Sequence, residues 1–257
     1  MAAEPAAEVT EDAVLGGRLV LRQPRKGHRV GHDAILLAAA CSAASREQLV
    51  ELGAGVGAAG LAVARRVDDL ALTMIEIDPA LAALARENAE RNGLVERTRV
   101  VCLDVTAFPD ALAAAGIAGR SADHVLMNPP FNAAHNPSPD HGRRLAHALM
   151  PTTLRQWIGA AAFLLRPGGV LTLIWRADGL DEVLAALADG FGGIVVLPIY
   201  PKPDAPAIRV LVRAANDTRA PLAILPGLML TDGNGKPTQA AEAVLRAGSV
   251  LTLANIR

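Results

Sequence analysis

From Leu49 onward the chain alternates short aliphatic runs with alanine-rich stretches, and the first junction is a glycine turn, Glu51-Leu52-Gly53-Ala54-Gly55-Val56-Gly57. This pattern constrains the fold more than any other feature. A buried run of strand length followed by a helix must cross back to the sheet, and parallel strands with helices on both faces are the economical solution. Strands are expected at 49–52, 71–75, 98–103, 123–127 and 170–174, with helices at 57–66, 79–92, 152–165 and 181–188. Pro79 suits the first turn of its helix and Gly93 its stop. Two more strands, 194–197 and 208–212, flank a loop holding Pro198, Pro201, Pro203 and Pro206, which predicts an antiparallel pair.

The fold class expected is therefore α/β, Rossmann-like, with a mostly parallel sheet. At 257 residues, one large domain is favoured over two small ones. Its core must be built from small and branched aliphatics, because aromatics make up only 3%. Residues 1–15 read as a disordered acidic tail, since Glu4, Glu8, Glu11 and Asp12 lack any basic partner up to that point. Within a single domain at 16–257, residues 16–48 form a substrate or cofactor segment, 49–213 the core and 214–257 an appendage with a turn at Asp232 and a helix at 238–246. Short strand 18–21 and helix 33–44 lie in the first of these.

Several classes are set aside. No apolar run reaches membrane-spanning length, and the acidic start is wrong for a secretory leader, so a cytoplasmic protein is expected. Cys41 and Cys102, both in apolar surroundings and far apart, read as buried reduced thiols. His28 and His32 sit among glycines, and no metal site is expected.

The net charge of −1 hides two acid-free stretches. One holds Arg18, Arg22, Arg25, Lys26 and Arg29; the other, from 141 to 177, holds Arg143, Arg144, Arg155, Arg166 and Arg176. They read either as a local footprint for an anionic partner or as solvated faces.

The glycine turn lets backbone approach a ligand, and Glu76 ends the next strand, where a carboxylate can accept from both ribose hydroxyls. Together they point to a nucleoside-containing cofactor. Gly55-Val56-Gly57-Ala58-Ala59-Gly60 also matches a dinucleotide spelling, so a dehydrogenase competes. The turn begins at Gly53, however, which puts Gly60 inside the helix, and Glu51 suits an amine-bearing ligand better than a pyrophosphate. Asp104, ending the third strand, is placed to accept from an adenine amino group or to cap a turn. Asp78 before Pro79 fits an N-cap.

Asn128-Pro129-Pro130-Phe131 follows the fourth strand, at the edge where ligands bind in open α/β sheets. A planar amino nitrogen is a weak nucleophile because its lone pair is delocalised. The Asn128 oxygen and the Pro129 carbonyl can each take an amino hydrogen, stabilising positive charge as nitrogen attacks a sulfonium methyl. Phe131 can stack on the planar group, and the prolines hold the acceptors still. The irregular stretch 132–150 reads as a substrate lid.

These residues resemble class I methyltransferases with an Asp/Asn-Pro-Pro-aromatic motif, over roughly 49–212. The resemblance implies S-adenosyl-L-methionine as cofactor, a seven-stranded sheet whose last strand is antiparallel, and cofactor contacts at Glu51, Gly53, Gly55, Gly57, Glu76, Asp104 and Asn128. The segment Gly31-His32-Asp33-Ala34-Ile35-Leu36-Leu37 is similar to one in bacterial tRNA(Val) adenine-37 N6-methyltransferases, which implies that Gly31 and Asp33 border the methionine end of the cofactor. It further implies an RNA substrate, with contacts expected at Arg25, Lys26, Arg143, Arg144 and Lys202. Phe131 stands where many adenine-N6 enzymes have Tyr, so guanine-N2 methylation of rRNA stays open. Glutamine-N5 methylation of protein is a weaker reading, because its enzymes carry an N-terminal helical domain for which 1–48 leaves no room. A non-catalytic RNA-binding role is the reading from outside enzymes.

Overall fold

The computed structural model describes residues 8–27, 29–130 and 154–255. Among them, seven long strands form one sheet in the order β5-β4-β3-β6-β7-β9-β8. These are β3 (Gln48–Leu52), β4 (Ala71–Glu76), β5 (Thr98–Cys102), β6 (Ala122–Met127), β7 (Leu165–Arg176), β8 (Phe191–Tyr200) and β9 (Arg209–Asn216). All neighbouring pairs are parallel except those of β9, which runs antiparallel to β7 and β8. The doubly wound sheet read from the sequence is thus present. Two-residue strands β10 (Ala223–Ile224) and β11 (Leu228–Met229) add to β8 and bring the sheet to nine.

Strand alternation explains the layers. Leu49, Leu126, Ile174 and Leu211 point into one core, built with helices α1 (His32–Ala40), α2 (Ala58–Arg66), α3 (Pro79–Arg91) and α7 (Gln239–Leu245). Val50, Val125, Leu173 and Val212 point into the other, under α4 (Asp110–Ala114), α5 (Leu154–Leu164) and α6 (Leu180–Leu187). Strands covered on both faces need to be largely apolar, as the central ones are. Alanines at 38, 39, 58, 59, 62 and 64 are buried where α1 and α2 pack together, which lets two helices share a narrow layer.

The N-terminal region departs from expectation. Residues 9–14, read as part of a tail, form β1 (Val9–Val14), paired antiparallel with β2 (Leu19–Pro24). Leu19 and Leu21 of β2 are fully buried, and the acidic residues find cations that the sequence keeps apart: Glu8 pairs with Arg25 at 3.0 Å, Asp12 with Arg29 at 2.9 Å and Glu11 with Arg91 of α3 at 3.0 Å. Two cations of the first basic run, Arg25 and Arg29, are thus neutralised by the acidic run. The second basic run is also largely spent, with Arg155 on Asp189, Arg166 on Asp123 and Arg176 on Asp178 and Glu182.

Cys102 is another correction. Cys41 is buried and its thiol is pushed up to about 11 by desolvation, whereas Cys102 is exposed because β5 is the sheet's edge strand. No helix among the described residues is long and apolar enough to cross a membrane.

Candidate active site

Register across the carboxyl edge sets the order of the site. Met127 pairs with Leu52, Leu52 with Ile75 and Glu76 with Cys102. The residues just beyond, Asn128, Gly53, Glu76 and Leu103, therefore lie side by side. With strands about 4.8 Å apart, the backbones of Asn128 and Glu76 are separated by roughly 10 Å. That is a span over which one extended ligand can touch both.

The glycine turn is held by its neighbours. Ala54 N–H donates to the Ile75 carbonyl at 3.0 Å, and Gly55 N–H donates to Glu76 Oε2 at 2.7 Å. The second Glu76 oxygen accepts from Asp78 N–H at 2.9 Å. Glu76 is only 6% exposed, yet each carboxylate oxygen keeps a further acceptor site for a ligand hydroxyl. Gly53 has φ +65, and a Cβ there would come within 2.5 Å of the Trp157 ring. The indole closes the floor of the turn, so only glycine fits. Asp78 caps α3 through Ala80 and Leu81 N–H, as its sequence position implied.

Glu51 has a structural duty that the sequence hid. Its carboxylate accepts from Gly60 N–H at 2.8 Å, satisfying an otherwise unpaired donor in the first turn of α2. Burial pushes its pKa up to about 8, against the pull of that hydrogen bond, with the Glu76 charge adding to the rise. A Cβ at position 60 would lie 2.5 Å from Glu51 Oε2 and 2.9 Å from a Leu72 methyl. Gly60 is thus explained by helix-strand packing, and not by approach to a pyrophosphate.

Asn128 is half-buried, Pro129 buried and Pro130 exposed. The Asn128 amide forms no hydrogen bond among the described residues. Phe131, Arg143, Arg144 and the stretch read as a lid, 132–150, lie outside the described residues, as does His28.

Of the other expected contacts, Gly31 is the N-cap of α1 and Asp33 lies in its first turn, where the carboxylate accepts from Arg209 Nε at 2.9 Å. Asp104 Oδ1 accepts from Thr106 N–H and Oγ, each at 2.8 Å, so the turn-capping role is realised. Gly57 starts α2 and donates to the Ala54 carbonyl at 2.8 Å. Lys26 and Lys202 are exposed without an ion pair among the described residues, while Arg25 is engaged with Glu8.

Sequence reasoning missed two contributors. Asn88, fully buried on α3, donates to the carbonyls of Arg22 and Val56, each at 3.0 Å, and accepts from Arg22 N–H at 2.7 Å. It ties the N-terminal hairpin to the glycine turn. Asn92, one turn on, clips Val20 in the same way, so an Asn pair at i, i+4 was the available signal. Ile77 is the other. It is 44% exposed immediately after Glu76, an apolar surface beside the ribose-type carboxylate.

A Rossmann-like sheet in this strand order, with a glycine turn, a carboxylate and an Asn-Pro-Pro step along one edge, defines the class of protein. The family model for the methyltransferase small domain matches residues 28–197, and the chain belongs to that family. A tRNA1(Val) (adenine(37)-N6)-methyltransferase of Bacteroides thetaiotaomicron is 29% identical over 164 residues, 63% of this chain and 65% of that protein. A release factor glutamine methyltransferase of Chlorobaculum tepidum is 30% identical over 179 residues, 66% and 59% of the two chains. The chain thus spans less than two thirds of the length of these curated relatives. A crystal structure from Agrobacterium tumefaciens, described as a predicted O-methyltransferase, matches at 30% identity with TM-score 0.72, covering 85% of this chain and 98% of that one.

Proposed function

We propose that this chain is an S-adenosyl-L-methionine-dependent N-methyltransferase acting on the exocyclic amino group of a base in RNA, adenine N6 in tRNA. The observation that carries the reading is Asn128: a side-chain amide with no partner among the described residues, set beside the glycine turn at the edge where ligands bind. A half-buried amide that no described residue occupies is available to a ligand.

The residues fit the cofactor. Glu76 retains acceptor capacity for ribose hydroxyls, Ile77 offers an apolar face beside it, and Gly53 leaves part of its backbone accessible at the strand end. Asp33 supplies a carboxylate in the first turn of α1, and Asp104 keeps one oxygen, Oδ2, free for an adenine amino group. The cofactor supplies a methyl group on a positively charged sulfur. The chain orients the acceptor: Asn128 Oδ1 and the Pro129 carbonyl each accept one amino hydrogen, which concentrates the lone pair on nitrogen and disperses the charge developing there. No strong base is required, because the alkylated nitrogen is acidic and releases its proton to water.

The substrate assignment rests on the names of the tRNA1(Val) relatives and on Lys26 and Lys202, exposed cations on loops. A protein glutamine amide presents the same planar nitrogen, and the Chlorobaculum relative favours that second reading. Hydroxyl methylation needs a base for the acceptor proton, which Asn128 is not.

Incubating the protein with methyl-labelled cofactor and, in parallel, tRNA, rRNA and a release factor separates these readings. Label in tRNA is expected. Label confined to rRNA or to the release factor overturns the substrate assignment, and the absence of label from all three overturns the activity.

A further inference from the structure

A cavity of about 110 Å³ opens between α1, α2 and the turn after α7, and none of its lining residues belongs to the carboxyl-edge site. Its apolar wall includes Leu15, Ile35 and Val244, and three arginines line it, Arg18, Arg65 and Arg66. No Asp or Glu lines it.

The three arginines differ from most others in this chain. Arg22, Arg91 and Arg166 each find a carboxylate, whereas Arg18, Arg65 and Arg66 form no ion pair among the described residues. Arg66 is half-buried and fixed in place, donating to the carbonyls of Ala38 at 3.0 Å and Cys41 at 2.9 Å at the end of α1. Arg18 donates to the carbonyl of Ala247. Those bonds orient two guanidinium forks without neutralising either charge, and each guanidinium keeps spare N–H donors. Arg65 is exposed and has no hydrogen-bond partner among the described residues. Three uncompensated cations around one apolar-floored recess raise the local potential and favour an anion there.

Size narrows the ligand. Sites for drug-sized molecules occupy roughly 300–1,000 Å³. This one holds only a group of a few heavy atoms. Guanidinium forks match the spacing of oxygens on a tetrahedral oxyanion, which they bind in bidentate fashion. We propose that this cavity is a second binding site, separate from the methyl-transfer edge, for a phosphate oxyanion. The group is presented either by a small phosphorylated molecule or by the backbone of an RNA. The proposal stands without the methyltransferase reading, since neither the cofactor nor the acceptor base enters it.

The test measures thermal unfolding of the full chain in increasing inorganic phosphate, against chloride at matched ionic strength, for wild type, Arg65→Ala and Arg65→Lys. Because Arg65 has no hydrogen bond or ion pair among the described residues, its replacement leaves the fold standing. Wild type is expected to show a rise of about 3 °C at tenfold excess over the dissociation constant, growing with the logarithm of the phosphate concentration beyond it. Arg65→Ala loses most of that rise and Arg65→Lys keeps part of it. A rise no larger than in chloride, or an equal rise in Arg65→Ala, overturns the proposal. Where the phosphate response is lost in Arg65→Ala, tRNA binding assigns the source. A salt slope lowered by about one in the variant identifies an RNA backbone phosphate, and an unchanged slope identifies a small phosphorylated molecule.

Discussion

At the scale of single residues, two side chains carry the account. Asn128→Ala removes the acceptor for one amino hydrogen while leaving the glycine turn and Glu76 untouched. Loss of one preorganised polar partner of this kind costs about 100-fold to 1,000-fold in kcat. The expected result is that loss in single-turnover methyl transfer, with S-adenosylhomocysteine affinity changed less than about threefold; retained turnover contradicts the role. Glu51 makes a prediction in pH. Its folded pKa stands near 8 against an ordinary 4.5, so the folded state holds a proton that the unfolded chain has released. Its contribution to stability is therefore fully present below pH 4.5 and is lost as pH rises through about 8. Glu51→Gln keeps an oxygen for Gly60 N–H and removes the titration. Urea unfolding at pH 5, 7 and 9 should show wild type losing stability relative to Glu51→Gln as pH rises; parallel curves would refute the assignment.

At the scale of elements, the glycine turn is braced from three sides, by Trp157 under Gly53, by Glu76 on Gly55 and by Asn88 on Val56. Asn88→Ala leaves the Arg22 and Val56 backbone groups buried and unpaired, and is expected to cost about 2–3 kcal/mol in denaturant unfolding. Gly60→Ala drives a methyl against the Glu51 carboxylate and Leu72, with about 1–3 kcal/mol lost and weaker cofactor binding besides. Unchanged midpoints in both variants would show that the bracing is not structural. The strands and helices around this turn were legible in the sequence, because strands buried on two faces read as continuous aliphatic runs. The β1–β2 hairpin was not. It buries Leu19 and Leu21 and brings Glu8 and Asp12 onto Arg25 and Arg29, each 17 positions away, which a local reading sees as two separate runs of like charge.

At the scale of the whole molecule, the sheet places its chemistry on one edge and leaves Arg18, Arg65 and Arg66 around a separate recess beside α1 and α2. The candidate site was visible in sequence to the extent that it follows strand ends: Gly53, Glu76 and Asn128 are adjacent because β3, β4 and β6 are. What was not visible was which carboxylates are already occupied. Glu51 was read as a ligand contact and carries a structural hydrogen bond, since backbone N–H groups compete for the same oxygens; at Asp104 the turn cap was one of the two readings. The most direct test of the central claim is nucleoside mass spectrometry of tRNA after reaction with the protein and labelled S-adenosyl-L-methionine. The account predicts labelled N6-methyladenosine, absent with Asn128→Ala; labelled N2-methylguanosine or a 2′-O-methyl nucleoside in its place would contradict it.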